Sequence, residues 1–286
     1  MSALPADWRV DEPPPFRRLL DAEIGGPLLL AVGGWQLAAL LVRRLLWTSF
    51  GGFRQRRLQN LSVCLLHSCV AGAWAGGFFA RHPAVMFGDP VFFCRPGMCG
   101  LLLLTVGYFL HDAADMLRFE RSRWTLELLA HHLATGFVLS CALCSRRFVV
   151  FAYWALLMEV NRRAATSGRS LQSPACSVFL HLRTIFLLSG ARDRHPTAFR
   201  WIKAANLATF VVCRFLVQAW QLHFVVAWRA HFHAFYAAVG LLGGGFFLLA
   251  NLLLFFRLLA ADGLLGDFGR RHAAIQRDDG KADKRE

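Results

Sequence analysis

Charged residues are scarce in this chain of 286 residues: Asp, Glu, Lys and Arg make up 17% of it, against about 25% in a typical soluble domain. Hydrophobic residues make up 56% of the chain, and no polar stretch marks a soluble domain between the first and the last apolar run. This shortage of charge excludes an ordinary soluble enzyme and indicates a protein that crosses a membrane several times.

Acidic residues are also few, 18 against 32 Lys and Arg, which gives a net charge of +14. Such a balance is typical of nucleic-acid binding when the basic residues form a stripe on a soluble fold. Here the arginines cluster at the ends of apolar runs, where orientation in a membrane explains them. We therefore expect no nucleic-acid partner.

Recognisable metal and cofactor motifs are missing too. The sequence has no H-E-x-x-H, and its C-x-x-C, Cys141 to Cys144, ends an apolar run instead of joining a soluble redox fold. Adjacent histidines suit a single ion poorly. We expect no metal and no resident cofactor.

Apolar runs of roughly 20 residues recur along the chain, each long enough to cross about 30 Å of hydrocarbon. They predict an all-α membrane protein, a bundle of about seven transmembrane helices. The predicted spans are 26–46, 58–80, 97–117, 124–144, a fifth in two halves (148–161 and 177–189), 199–222 and 234–258. We expect an irregular tail without a cleaved signal peptide at residues 1–25. The first helix and a basic loop are predicted at residues 26–55, and a polar, mobile tail at residues 261–286.

The fifth span is interrupted by a polar, turn-rich stretch, residues 162–176. Neither half alone is long enough to cross the membrane easily. Without this stretch the two halves join into one helix that is long enough to cross it. The insertion is either a re-entrant loop or a translated intron fragment. Irregular backbone exposed at membrane depth leaves polar groups unsatisfied, which favours the second explanation.

Orientation follows from the Lys and Arg residues between spans. The first, third and fifth loops hold twelve of them, and the loops between hold five. The count predicts a cytosolic C-terminus and an N-terminus on the opposite side.

Several polar side chains lie at predicted membrane depth, where they normally face a bundle interior or a wet cavity. The catalytic candidates are His131, His132, Asp112 and Glu159, and the cavity-lining candidates are His67, His111, Asp115, Asn161, His181 and Arg214. An imidazole beside a carboxylate can act as a general base. The alternative is that these groups only hold helices together through hydrogen bonds.

Spacing refines these candidates. His131 and His132 differ by about 100° around a helix, so we expect one to enter a cavity and the other to pack on a neighbouring helix. Glu127 stands four residues before His131, and Gln218 four residues after Arg214, so each spacing predicts a pair. Asp112 is predicted to lie at the depth of the histidines.

Four motifs in this order resemble the TLC domain family: RLQNLSVCLLHSCVAGAWA, TVGYFLHDAADML, WTLELLAHHLATG, and ALLMEVN with SVFLHLR. The resemblance covers residues 56–260, which it defines as a TLC domain. It implies a helical bundle around a central cavity, with His131 and His132 as the family's histidine pair. In ceramide synthases H-D-x-x-D follows that pair, whereas here HDAAD precedes it and the next helix offers Glu159 and Asn161.

The resemblance leaves three functional hypotheses open. The preferred one is a plasma-membrane protein that acts on membrane phospholipids or their acyl chains and limits fluidity by restricting polyunsaturated chains. The second is an acyl-CoA-dependent acyltransferase of the endoplasmic reticulum, similar to ceramide synthase, with His131 or His132 as base and Asp112 or Glu159 orienting it. The third is a cargo or translocon adaptor. Whether the protein is an enzyme stays open, and its protein partners are unknown.

Overall fold

The computed structural model describes residue 4 and residues 7–119, 123–157 and 177–265, and within these ranges helices are the regular elements. The α-helices are α1 (Ala22–Leu45), α2 (Gly52–Arg81), α3 (Pro83–Gly88), α4 (Pro96–Phe119), α5 (Arg123–Ser145), α6 (Val149–Leu157), α7 (Ser177–Ser189), α8 (Ala191–Arg194), α9 (Pro196–Thr209), α10 (Val217–Trp228) and α11 (Ala234–Ala261). A π-helical segment, Phe210–Leu216, joins α9 to α10, and short 3₁₀ helices lie at Phe16–Leu20 and Arg229–His231.

Six helices of the described chain are long and apolar enough to cross a membrane: α1, α2, α4, most of α5, the continuous Pro196–His231 rod and α11. They correspond to six of the seven predicted spans, so the predicted all-α, multi-pass class is confirmed. The first span begins earlier than predicted, at Ala22, and the last extends to Ala261.

The two halves of the predicted fifth span, α6 and α7, pack against opposite ends of α2. Tyr153 of α6 contacts Phe78 near the C-terminal end of α2. At the other end, Arg54 of α2 donates from Nε to the carbonyl oxygen of Leu188 in α7, at 2.6 Å. This placement is what two halves of one crossing would give. Residues 158–176, with the predicted insertion, Glu159 and Asn161, lie outside the described residues.

At one end of the bundle, named here the aromatic end, residues 7–20 meet the α3–α4 and α10–α11 connections. Val10 donates to the His231 carbonyl at 2.9 Å, and His233 donates to the Val10 carbonyl at 2.6 Å. Trp8, only 5% exposed, packs against Phe92 and Trp228. The N-terminal segment, predicted as an irregular tail, is therefore packed against the bundle, because its buried aromatic side chain anchors it.

The opposite end, named here the arginine end, carries the α1–α2 and α7–α9 connections and the end of α11. Asp262 accepts there from Arg183 at 2.7 Å and lies 3.2 Å from the Lys203 ammonium. Asp262 was predicted to begin a mobile tail, and that part of the prediction is wrong because the residue is buried in this ion pair. Residues 266–286 lie outside the described residues.

The tightest packing is between α1 and α4. Trp35 of α1 donates from Nε1 to the Leu104 carbonyl of α4 at 2.9 Å. Gly107 of α4 faces the backbone of α1 directly: a Cβ at this position would lie 2.7 Å from Cβ of Ala31 and 3.1 Å from the Val32 amide nitrogen. The absence of a side chain at Gly107 is what permits this close approach.

We expect Gly107→Ala to lower the free energy of unfolding by about 1–3 kcal/mol, because the added methyl group contacts backbone atoms of α1 that can move only at a large energetic cost. Gly136→Ala in α5 is the matched control, since a Cβ there meets nothing within 4 Å. Thermal unfolding of the purified proteins in detergent measures the difference. Equal melting temperatures for both variants would show that α1 and α4 are not packed this closely.

Candidate functional site

The adjacent histidines of α5 face different surroundings. His131 lines a cavity and contacts Phe247 of α11, with ring centroids 5.5 Å apart. His132 is 6% exposed and contacts Phe109 of α4 edge-on, with centroids 4.9 Å apart. This is the division expected from their 100° separation around the helix.

Both ring nitrogens of His132 are engaged. Nδ1 lies 2.8 Å from the Leu128 carbonyl oxygen, and because a carbonyl can only accept, Nδ1 carries a proton. Nε2 lies 3.3 Å from Oδ2 of Asp112 in α4, whose side chain is 2% exposed. Asp112 and His132 therefore share a proton across the α4–α5 contact, either as an ion pair or as a neutral acid and imidazole. The predicted common depth of Asp112 and the histidines is confirmed.

Further polar side chains surround this pair between α1, α2 and α4. His67 stacks on Tyr108 with centroids 3.9 Å apart, and its Nε2 lies 3.5 Å from the Thr105 hydroxyl. His111 is 3% exposed. Asp115 accepts from Arg43 of α1. His67 and Asp115 thus join helices, His111 is buried, and none of the three lines the cavity that His131 faces.

The cavity lies between α5, α6, the π segment, α10 and α11 and has a volume of about 230 Å³. It reaches from Phe148, Phe232 and Tyr236 near the aromatic end to Arg214 and Asn251 deeper in the bundle. Most of its lining is apolar. Besides Tyr236, its polar side chains are His131, Thr135, Arg214, Gln218, Gln221 and Asn251.

A chain of hydrogen bonds forms one polar wall. Arg214 donates from Nη1 to Oδ1 of Asn251 at 2.8 Å, and Asn251 donates from Nδ2 to Oε1 of Gln218 at 2.7 Å. Gln218 donates in turn to the Gly244 carbonyl at 2.9 Å. The predicted pairing of Arg214 with Gln218 thus runs through the amide of Asn251 on α11, so the chain joins two helices.

Gln221 extends this wall and was not singled out from the sequence. It donates to the Phe151 carbonyl of α6 at 2.9 Å and lines the cavity. The signal was available, because Arg214, Gln218 and Gln221 follow the i, i+4, i+7 spacing of one helix face. Thr135, four residues after His131, lines the same cavity and donates to the His131 carbonyl at 2.8 Å.

Glycines shape the α11 wall in two ways. A Cβ at Gly240 would lie 2.8 Å from Val225, and one at Gly244 would lie 3.1 Å from Leu222, so these two positions let α11 approach α10. Gly243 lines the cavity, and a Cβ there would meet nothing within 4 Å. The missing side chain at Gly243 leaves part of the cavity open.

Other predicted residues lie elsewhere. Glu127 accepts from both terminal nitrogens of Arg257 in α11, at 2.7 and 3.2 Å, an interaction that spacing within α5 could not indicate. His181 is half-buried on α7 and, within the described chain, is not part of the cavity lining. Searching the described residues finds no group of His, Cys, Asp and Glu that could hold a metal ion.

The fold and this site define a class: a multi-pass α-helical membrane protein with a cavity beside an adjacent histidine pair. Residues 57–164 match the sequence model of the TLC domain. TLC domain-containing protein 2 of Danio rerio is 31% identical over 71% of this chain and 75% of its own length. The chain belongs to the TLC domain family, as its motifs predicted.

Two further relatives show the extent of the similarity. TLC domain-containing protein 2 of Homo sapiens is 34% identical over 57% of this chain, which spans about half of that protein, 54%. TLC domain-containing protein 1 of Gallus gallus is 28% identical over 87% of this chain and 90% of its own length. No solved structure matches the chain.

We expect His132→Ala to destabilise the protein far more than His131→Ala. The first substitution leaves Asp112 buried without its imidazole, and breaking a buried pair costs about 3–5 kcal/mol. The second removes a side chain from a cavity wall, where space is already present. Thermal unfolding of both variants in detergent checks this. Equal destabilisation would contradict the division of roles between the two histidines.

Proposed function

We propose that this protein acts on membrane lipids by taking an acyl chain into the cavity that His131 lines, and that it thereby controls the acyl-chain composition of membrane phospholipids and membrane fluidity. The observation that carries the proposal is the cavity itself, a mainly apolar space between α5, α10 and α11 with a small number of polar side chains in its wall. Apolar pockets with few, convergent polar groups are the usual form of a small-molecule site.

Membership of the TLC domain family supports the same proposal, since the part of the chain that matches the family's sequence model, residues 57–164, includes His131 and His132. The proposed location is the plasma membrane, with a cytosolic C-terminus. The charge count supports this orientation, because the arginine end then faces the cytosol. Membrane phospholipids and their acyl chains are the proposed partners.

Acyl transfer is the second candidate function, and one observation favours it. His131 faces the cavity, so its imidazole is placed where a general base would take the proton of a hydroxyl or amine acceptor that attacks a bound acyl thioester, with the thiol of CoA as the leaving group. Of the two histidines it is the one suited to this role, because Nε2 of His132 faces Asp112. An acyltransferase would use acyl-CoA as a substrate, with no resident cofactor.

We expect Gly243→Leu to abolish the effect of the protein on phospholipid acyl composition, because the new side chain occupies cavity space from a position where its Cβ meets nothing within 4 Å. Gly245→Leu is the matched control: it makes the same change two residues away, also with nothing within 4 Å, but on an exposed face. Phospholipid and ceramide profiles are measured in cells that lack the protein and in cells rescued with each variant.

Rescue by the native chain and by Gly245→Leu, but not by Gly243→Leu, supports the cavity as the working site. If Gly243→Leu rescues fully, a cavity-based function is excluded. His131→Ala separates the two candidates in the same cells: rescue indicates lipid binding without chemistry, and failure at normal protein abundance favours acyl transfer. The lipid class that changes, phospholipid or ceramide, then chooses between them.

A further inference from the structure

We propose that Cys94 and Cys99 form a disulfide bond at the aromatic end of the bundle, on the side of the membrane that faces away from the cytosol. Cys94 lies in the connection between α3 and α4, and Cys99 lies in the first turn of α4. The proposal rests on the proposed orientation, with a cytosolic C-terminus, and not on the proposed lipid function.

The two sulfur atoms are already close together. The Sγ atoms of Cys94 and Cys99 are 3.5 Å apart, and both residues are free thiols in this structure. A disulfide bond is about 2.05 Å long, so the two sulfurs need to approach each other by only about 1.5 Å. Small rotations about the two Cα–Cβ bonds supply this movement, and no helix has to be displaced.

The backbone on both sides of Cys94 is held in place, which keeps the two thiols near each other. Before Cys94, the carboxylate of Asp89 accepts from the amide of Phe92 at 2.8 Å. After it, the carbonyl of Arg95 accepts from the amide of Cys99 at 3.4 Å, at the start of α4. Because these segments are already ordered, closing the bond costs little further conformational entropy.

Under the proposed orientation the pair lies in an oxidising compartment. With a cytosolic C-terminus the arginine end faces the cytosol, and the aromatic end faces the lumen of the secretory pathway or the cell exterior. Disulfides form and persist in these compartments, whereas thiols in the cytosol are kept reduced. Arg95, Pro96 and Gly97, between the two cysteines, are exposed, so a disulfide donor can reach the pair from outside.

A second cysteine pair at this end is less suited to oxidation. Cys141 and Cys144 of α5 are only 4% and 0% exposed, whereas Cys94 and Cys99 are half-buried. Thiol–disulfide exchange requires direct attack of a thiolate on a donor sulfur, and fully buried cysteines are inert toward it. The accessible pair is therefore the one that we expect to be oxidised.

Oxidation takes two exchange steps with a disulfide donor, either a protein disulfide or glutathione disulfide. One thiolate of the pair attacks a donor sulfur, which gives a mixed disulfide and releases one donor thiol. The second thiolate then attacks the mixed disulfide, the two cysteines are joined, and the rest of the donor leaves as a thiol. The pair loses two electrons and two protons, and the donor gains both.

Positive charge near the pair assists these steps. The guanidinium groups of Arg18 and Arg146 interact electrostatically with both sulfurs. The thiolate is the form that attacks a disulfide, and neighbouring arginines stabilise it. The surroundings of the pair therefore favour the reaction as well as its geometry.

The bond would fasten the connection between α3 and α4 to α4 itself. Val91 of this connection is fully buried at the aromatic end, and its carbonyl accepts from the Phe148 amide at 2.8 Å. Phe148 lines the cavity. Fastening the connection thus also supports one end of the cavity wall.

The test counts oxidised cysteines in the full-length protein from eukaryotic cells. Free thiols are blocked with N-ethylmaleimide during denaturing lysis, the protein is reduced, and the released thiols are labelled with a polyethylene-glycol maleimide that shifts the band on a gel once per thiol. Of the eight cysteines, we expect two to be labelled in the native chain. We expect no label in Cys94→Ala or in Cys99→Ala.

Cys144→Ala is the matched control, because it removes a buried cysteine at the same end of the bundle. We expect this variant to keep both labels, and mass spectrometry of the unreduced native protein to find the peptides of Cys94 and Cys99 linked. An unlabelled native chain would overturn the proposal, and this result does not depend on how any variant folds. Loss of both labels in Cys144→Ala would also overturn it.

The disulfide, the orientation and the lipid function fail in different experiments. Digestion of a C-terminal tag by a protease added to intact and to permeabilised cells reports the orientation. An unoxidised pair in a chain with a cytosolic C-terminus overturns the disulfide alone, whereas a C-terminus on the opposite side overturns the orientation and the proposal with it. The lipid profiles of the Gly243→Leu cells test the proposed function independently of both.

Discussion

Hydrocarbon neither donates nor accepts hydrogen bonds, so a polar side chain at membrane depth has to find its partner on another helix or in a cavity. Gln59 of α2 donates to the carbonyls of Arg43 and Leu46 at the end of α1, at 3.1 Å each. Gln221 does the same for α6, and the Arg214–Asn251–Gln218 chain does it for α11. These polar groups, which the bilayer would reject, thus become contacts that fix one helix against another, and the arrangement of the bundle depends on them.

The bundle divides into a tight part and a looser part. In α4, 61% of the apolar span is buried, against 6% in α11. Trp35, His67 and Tyr108 fill the space between α1, α2 and α4 with stacked rings. Around α11 the packing combines hydrogen bonds of side-chain amides, ring contacts of Phe255 with Phe210 and Phe215, and two glycines, and it leaves room for the cavity. The cavity thus lies on the less buried side of the bundle.

Much of the fold was predictable, because apolar length and the placement of charge are properties of single segments. Six spans and the polar side chains at depth follow from them, whereas the family was indicated by the resemblance of four motifs. Contacts between helices were not predictable, since they depend on which faces meet. Glu127 binds Arg257 of α11 rather than a residue of its own helix, and Trp8 anchors a segment whose composition resembles a loose tail.

Only part of the candidate site was predictable from the sequence. The rotation between adjacent helical residues indicated that the side chains of His131 and His132 would point in different directions. It could not indicate which one faces the cavity, because that depends on the position of α4. Nor could it show that His67, His111 and Asp115 belong to the tight part of the bundle, or that Gln221 completes a polar wall. Residue spacing predicts which side chains share a face of a helix, but only the packed structure shows which other helix that face contacts.

The separation of the two histidines has a consequence for any chemistry at this site. Asp112 cannot orient His131, because it already faces Nε2 of His132 on the other side of α5. What the Asp112–His132 pair does is fix the rotation of α5 against α4, and that rotation directs His131 into the cavity. One histidine therefore positions the other through the backbone that they share. Replacing both together would remove a helix contact and a cavity wall at once, so only single substitutions separate the site from its support.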